Sequence, residues 1–172
     1  IKLLVKDYSI ETTPNVYEKI KELKKYLPNQ NDVYITYLPN EDPLRVVNIS
    51  KKIKIEGLTP IPHLPVRSIK NYTMLEKYIG NLSEEAGCKK ILIIGGGGNQ
   101  VGNISSSLEV LQSDLLSKFN FKNVGLAGHP EGHPDIPGNI LDKAINQKNQ
   151  NTKSAEFKLY ITTQIFIEAK SF

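Results

Sequence analysis

Gly125-Leu126-Ala127-Gly128-His129-Pro130-Glu131-Gly132-His133-Pro134-Asp135 is the stretch on which the reading of this chain turns. With Val124 ahead of it, a short apolar run reaches a glycine and then breaks into His, Pro, Glu, Gly, His and Pro. The run reads as a buried strand, ended at once by proline and glycine. Two imidazoles and two carboxylates therefore crowd a strand's C-terminal end. In parallel α/β proteins that end is where ligands bind. A solvated turn needs polar residues, but it does not need two His-Pro pairs in alternation.

Working upstream, Lys89 to Ile94 is the next strand, and Ile91-Leu92-Ile93-Ile94 is apolar on both faces, as a fully buried parallel strand should be. It runs into Gly95-Gly96-Gly97-Gly98. Three further strands are expected at Lys6–Glu11, Val33–Leu38 and Thr59–Leu64, and a sixth at Lys158–Ile167. Helices are expected between them. Thr13-Pro14 and Asp42-Pro43 each pair an N-cap with proline at the first helical position. The second of these helices runs to about Ile55. A third covers Asn71–Ala86, closed by Gly87. A fourth covers Ser106–Phe119 and a fifth Pro137–Asn146, followed by a polar loop, Gln147–Ser154.

Strand–helix alternation of this kind predicts a parallel sheet with helices outside. A doubly wound sheet usually carries its glycine-rich turn after the first strand; here that turn follows the fourth. A TIM-type (β/α)8 barrel instead spreads its site over many strand ends, and Glu11, Thr36, His63, Gly95 to Gly98, His129 and Gln164 fall at or near six successive ends. The barrel is the favoured reading, as one partial domain over residues 1–172 with about six βα units. A whole barrel takes ~250 residues, so the expectation is either a fragment with an open edge, prone to aggregate or to pair with another chain as in a homo-oligomer, or a chain in which something else covers that edge.

Composition narrows the class. The net charge of +4 is mild and spread along the chain. It gives weak support for anionic ligands and almost none for nucleic acid. No apolar run nears the ~20 residues of a membrane span, so no membrane partner is expected. Cys88 is the only cysteine, which excludes an internal disulfide and fits a reducing, cytoplasmic setting.

Each candidate residue has a plain reading beside its chemical one. Glu11 is either solvated or, at a barrel mouth, a general acid with a raised pKa. His63 is either packed against a backbone carbonyl or in contact with a ligand. Gly95, Gly96 and Gly97 form a flexible loop or let a ligand approach the backbone closely. No Gly-Lys-[Ser/Thr] follows, which excludes a P-loop. Ser105 to Ser107 could offer hydroxyls and helix amides to a phosphate. His129 and His133 are four apart, but Pro130 and Pro134 oppose the helix that zinc binding would need, so no metal is expected. Gln164 packs in its strand or reads a heterocycle edge.

Together these residues resemble the methylenetetrahydrofolate reductase family over essentially the whole chain. Ala127-Gly128-His129-Pro130-Glu131-Gly132-His133-Pro134 is close to that family's A-[GA]-[YH]-P-E-x-H-P, and Tyr160-Ile161-Thr162-Thr163-Gln164-Ile165-Phe166 to its I-T-Q-F-F-F-D strand. Ser9-Ile10-Glu11, Val33 to Tyr37 and Pro60 to Leu64 match its F-E-F, V-S-V-T-Y and P-V-A-H-L-T pieces. The resemblance implies a flavin oxidoreductase in which NAD(P)H reduces FAD and the flavin reduces 5,10-methylenetetrahydrofolate to 5-methyltetrahydrofolate, or the reverse. It implies Glu11 as general acid and Gln164 as folate contact. It implies Thr36, His63, Ala127, His129 and His133 as flavin contacts, with Asp142 and Lys148 near the FAD ribose and phosphates. Three departures mark a divergent subfamily. Gly95-Gly96-Gly97 stand where the family shows Arg-Gly-Asp, His129 stands at a tyrosine stacking position, and Phe166-Ile167-Glu168 replace aromatic-aromatic-aspartate. The rival readings are a folate- or flavin-binding barrel without reductase activity, accessory to a methyltransferase, and an unrelated phosphate-binding α/β domain using Gly95 to Ser107.

Overall fold

The structure is a computed structural model and describes residues 8–20, 22–95, 99–132, 138–139, 146–147, 150, 156–164 and 167. Six strands form one sheet: β1 (Ile10–Thr12), β2 (Asp32–Ile35), β3 (Thr59–Pro65), β4 (Lys90–Ile94), β5 (Asn123–Gly128) and β6 (Lys158–Thr163). Every neighbouring pair is parallel. The order in space is the order in sequence, β1 to β6, with no reversal. A doubly wound sheet needs a reversal to create its binding crevice; this sheet has none.

Local chemistry accounts for the helices. Helix α1 (Pro14–Ile20) starts on Thr13, whose Oγ1 accepts from Val16 N–H at 3.2 Å. Helix α2 (Pro43–Ile55) starts on Asp42, whose carboxylate accepts from Leu44 N–H at 2.9 Å. Helix α3 (Tyr72–Glu84) starts on Asn71, whose side chain accepts from Met74 N–H at 2.9 Å. Each cap satisfies an amide that the first turn would otherwise leave bare. Gly87, at φ +66°, provides the left-handed turn after α3 that a side chain would strain.

The single helix expected over Ser106–Phe119 is in fact two, α4 (Ser107–Gln112) and α5 (Leu115–Lys118). Ser113 breaks it: its hydroxyl donates to the Val110 carbonyl at 2.7 Å, competing with the helical ladder, and its backbone turns extended. Helix Pro137–Asn146 falls largely outside the described residues. Gln147 and Gln150, expected in a loop, are helical. The sixth strand stops at Thr163, short of the expected Ile167.

The sheet's two faces differ. Val33, Ile35, Leu64, Ile91, Ile93, Val124 and Leu126 lie in the main core, with Val46, Ile49 and Ile53 of α2 and Leu75, Ile79 and Leu82 of α3. Full burial of side chains this size stabilises by about 1.5–3 kcal/mol each before entropy is counted. The alternate residues face the other way, and many are polar. In register across the strands, Glu11 aligns with Tyr34 and Ile61, and His63 with Leu92, Gly125 and Tyr160.

Two contacts curl this inner face on itself. Lys90 of β4 reaches over β3 to the Asp32 carboxylate, at 2.7 and 2.8 Å. Tyr34 of β2 donates its hydroxyl to that of Tyr160 of β6 at 3.4 Å. In a flat sheet those two strands would stand roughly 19 Å apart at ~4.8 Å per strand, too far for two tyrosines. Gly125 leaves room for the Tyr160 ring: a Cβ there would come within 2.8 Å of that ring and 2.9 Å of Leu92.

Candidate functional site

The C-terminal ends of the strands bring several expected residues together. Glu11 on β1 is exposed, and Thr36, just past β2, donates its hydroxyl to the Glu11 carboxylate at 2.7 Å. His63 on β3 is 6% exposed. Neither of its ring nitrogens has a hydrogen-bond partner among the described residues. The packed reading, in which His63 donates to a backbone carbonyl, therefore fails. Its surroundings hold it all the same. Tyr34 packs against the ring edge-on, with centroids 6.1 Å apart. Tyr78 of α3 donates to the His63 carbonyl at 3.1 Å. Burial lowers the imidazole's pKa, and the Glu11 charge opposes that only in part. His63 is accordingly a neutral ring with one donor and one acceptor, both unused. An orphaned pair of this kind costs desolvation free energy unless something bonds it.

The other candidates fall around this cluster or away from it. Ala127 pairs with Thr162 at the end of β5, and Gln164 is exposed, its N–H donating to the Gly128 carbonyl at 3.1 Å. His129 is half-buried, and its carbonyl accepts from Gly132 N–H at 3.0 Å to close the turn after β5. Glu131 accepts from Ile167 N–H at 2.6 Å, tying this turn to the segment after β6. Gly95 is exposed, and its carbonyl accepts from Arg67 N–H at 3.0 Å. Gly96, Gly97, His133, Asp142 and Lys148 lie outside the described residues.

Ser105 has a different partner from the one expected. Its hydroxyl and its N–H both donate to the Glu109 carboxylate, at 2.6 and 2.9 Å, and Ser106 N–H adds a third bond at 3.0 Å. The Ser105 hydroxyl bond, then the backbone bonds, hold the Glu109 carboxyl below its ordinary pKa. A carboxylate already takes the Ser105 and Ser106 donors that a phosphate would have used.

Sequence reading missed the interior. Asp32 with Lys90, and Tyr34 with Tyr160, form two bonded pairs on the face that carries His63. A polar residue at every second position of Asp32-Val33-Tyr34-Ile35-Thr36 was the available signal. Arg67, just past β3, was also missed. Among the described residues there is no group of three or more His, Cys, Asp or Glu that could hold a metal ion. Nor is any described helix long and apolar enough to cross a membrane. No protein-family model matches the chain.

Proposed function

We propose that the chain is part of a TIM-type (β/α)8 barrel whose strand ends bind a flavin, and that it is a methylenetetrahydrofolate reductase-like oxidoreductase. The barrel reading is supported by the unbroken strand order and by the Tyr34–Tyr160 contact across the sheet. The observation that carries the cofactor reading is His63: buried, neutral and unbonded at both nitrogens, next to the Glu11–Thr36 pair. An imidazole held this way suits the mixed donor and acceptor edge of a flavin ring.

In this reading FAD supplies the hydride chemistry, with NAD(P)H and the folate as the two substrates. Thr36, His63, Ala127 and His129 line the flavin side, joined by His133, Asp142 and Lys148 from the sequence resemblance. Gln164 meets the folate. Glu11 carries the proton to the substrate, and Thr36 orients its carboxylate by donating to one oxygen. The other carboxylate oxygen is then available to hold the transferred proton.

The second reading, a flavin- or folate-binding barrel without reductase activity, is favoured by one feature. The stretch after β4 carries glycines where the family carries an arginine and an aspartate. One experiment separates the two. The protein as its gene encodes it is incubated with FAD and desalted, and its visible spectrum is recorded. Retained flavin bands near ~450 nm that NADH bleaches and methylenetetrahydrofolate restores support the reductase. Retained bands that NADH leaves unchanged support the second reading. A folded, colourless protein rejects both.

A further inference from the structure

The chain has two arginines, and the structure treats them oppositely. Arg45 on α2 is fully engaged: it donates to Glu18 at 2.5 and 3.0 Å, to Glu41 at 3.2 Å and to Asn15 at 2.7 Å. Arg67 is half-buried in the short 3-10 turn that follows β3 (Val66–Ser68), and its guanidinium makes no hydrogen bond or ion pair with any described residue.

The backbone around Arg67 is nevertheless fixed on both sides. Its N–H donates to Gly95 O at 3.0 Å, and its carbonyl accepts from Val101 N–H at 2.8 Å. Gly102 is pressed onto the backbone just past this turn. A Cβ on Gly102 would fall 2.1 Å from the Lys70 carbonyl oxygen and 2.4 Å from that of Ile69. Arg67 thus stands just past the end of β3 with its backbone bonded to Gly95 and Val101, and the sequence from Gly95 to Gly102 has no charged residue. Four positions earlier in sequence, on β3, lies His63, also without a partner among the described residues. A guanidinium is a rigid fork of donors suited to phosphate and carboxylate oxygens. It gains most where no protein carboxylate competes for it.

We propose that Arg67 is the anion-binding residue of this site and holds a phosphate or carboxylate group of the bound ligand. The proposal rests on the ligand-binding reading of the strand ends given above, and deepens it. The anion has two sources within that reading, the FAD pyrophosphate and the folate glutamate carboxylates.

The test starts from a probe that needs neither ligand. With two arginines, the protein gives two guanidinium Nε–H signals in nitrogen-15 spectra, assigned with Arg67→Lys. Titration with inorganic pyrophosphate should shift the Arg67 signal saturably and leave Arg45 in place. An unmoved Arg67 signal, or equal weak shifts of both, overturns the proposal. Flavin and folate titrations of Arg67→Gln then name the source. Weakening of FAD by about tenfold or more with riboflavin unchanged assigns the pyrophosphate. The same loss for tetrahydrofolate, with a tetrahydropterin lacking glutamate unchanged, assigns the carboxylates. If both ligands bind Arg67→Gln as they bind wild type, the proposal fails while the flavin reading stands. If wild type binds neither ligand, the flavin reading fails and the pyrophosphate titration alone decides Arg67.

Discussion

The inner face of the sheet has a lower half and an upper rim, and only the rim, beside the bonded Glu11–Thr36 pair, holds polar groups without a partner among the described residues. In the lower half every polar side chain named has a partner: Lys90 with Asp32, Tyr34 with Tyr160. At the rim, His63 has none and Arg67 has none among the described residues. Buried polar groups are bonded in nearly all native structures. The paired groups below are therefore explained by folding alone. The unpaired, buried His63 is not, and it supports the proposal that the rim takes a partner from outside. The difference separates scaffold from site without appeal to fold, which by itself implies no function.

The largest expected effect comes from breaking the lower half. Gly125→Ala would drive a methyl into the Tyr160 ring and Leu92. Overpacking of that kind costs about 1–3 kcal/mol, readable as a lower urea midpoint with unchanged slope. A pH titration of stability sharpens the rim. The folded His63 holds its proton less tightly than the unfolded one, because burial lowers its pKa. Stability is then complete above the unfolded value near ~6.5 and declines as pH falls through it, by at most about 1.4 kcal/mol per pH unit. His63→Gln should flatten that segment of the curve. If the wild-type curve between pH 7 and 5 matches the variant's, the rim histidine is not held neutral.

Tyr34→Phe is expected to cost about 1 kcal/mol, since it leaves the Tyr160 hydroxyl unbonded. The same change should leave ligand affinity nearly intact, as befits the lower half. Cys88 supplies the smallest effect. It is 1% exposed, and burial pushes its thiol up to about 12. Native protein should not react with a disulfide reagent at pH 8, and one thiol should appear on unfolding.

The parallel α/β architecture was legible because its signals are local. Thr13-Pro14, Asp42-Pro43 and Asn71 set helix starts by direct side-chain caps, and Ile91 to Ile94 could only be a buried strand. The break at Ser113 was not legible, because a serine inside a helical pattern tells nothing until its hydroxyl chooses the Val110 carbonyl. At the site, the approach of Glu11, Thr36 and His63 followed from their places at strand ends. The commitment of Ser105 to Glu109 did not, although Ser-x-x-Glu at Ser106 to Glu109 is the spacing of a capping box. Arg67 and the Tyr34–Tyr160 contact depend on the curl of the sheet, which no single segment encodes.

The most direct test of the account is His63→Leu, with stability and flavin affinity measured on the same sample. Because neither nitrogen is bonded among the described residues, an apolar side chain of similar size should leave stability within about 1 kcal/mol of wild type, or raise it, while flavin binding falls by about tenfold or more. A variant that loses several kcal/mol of stability yet binds flavin as wild type does would contradict it, and would make His63 a part of the scaffold.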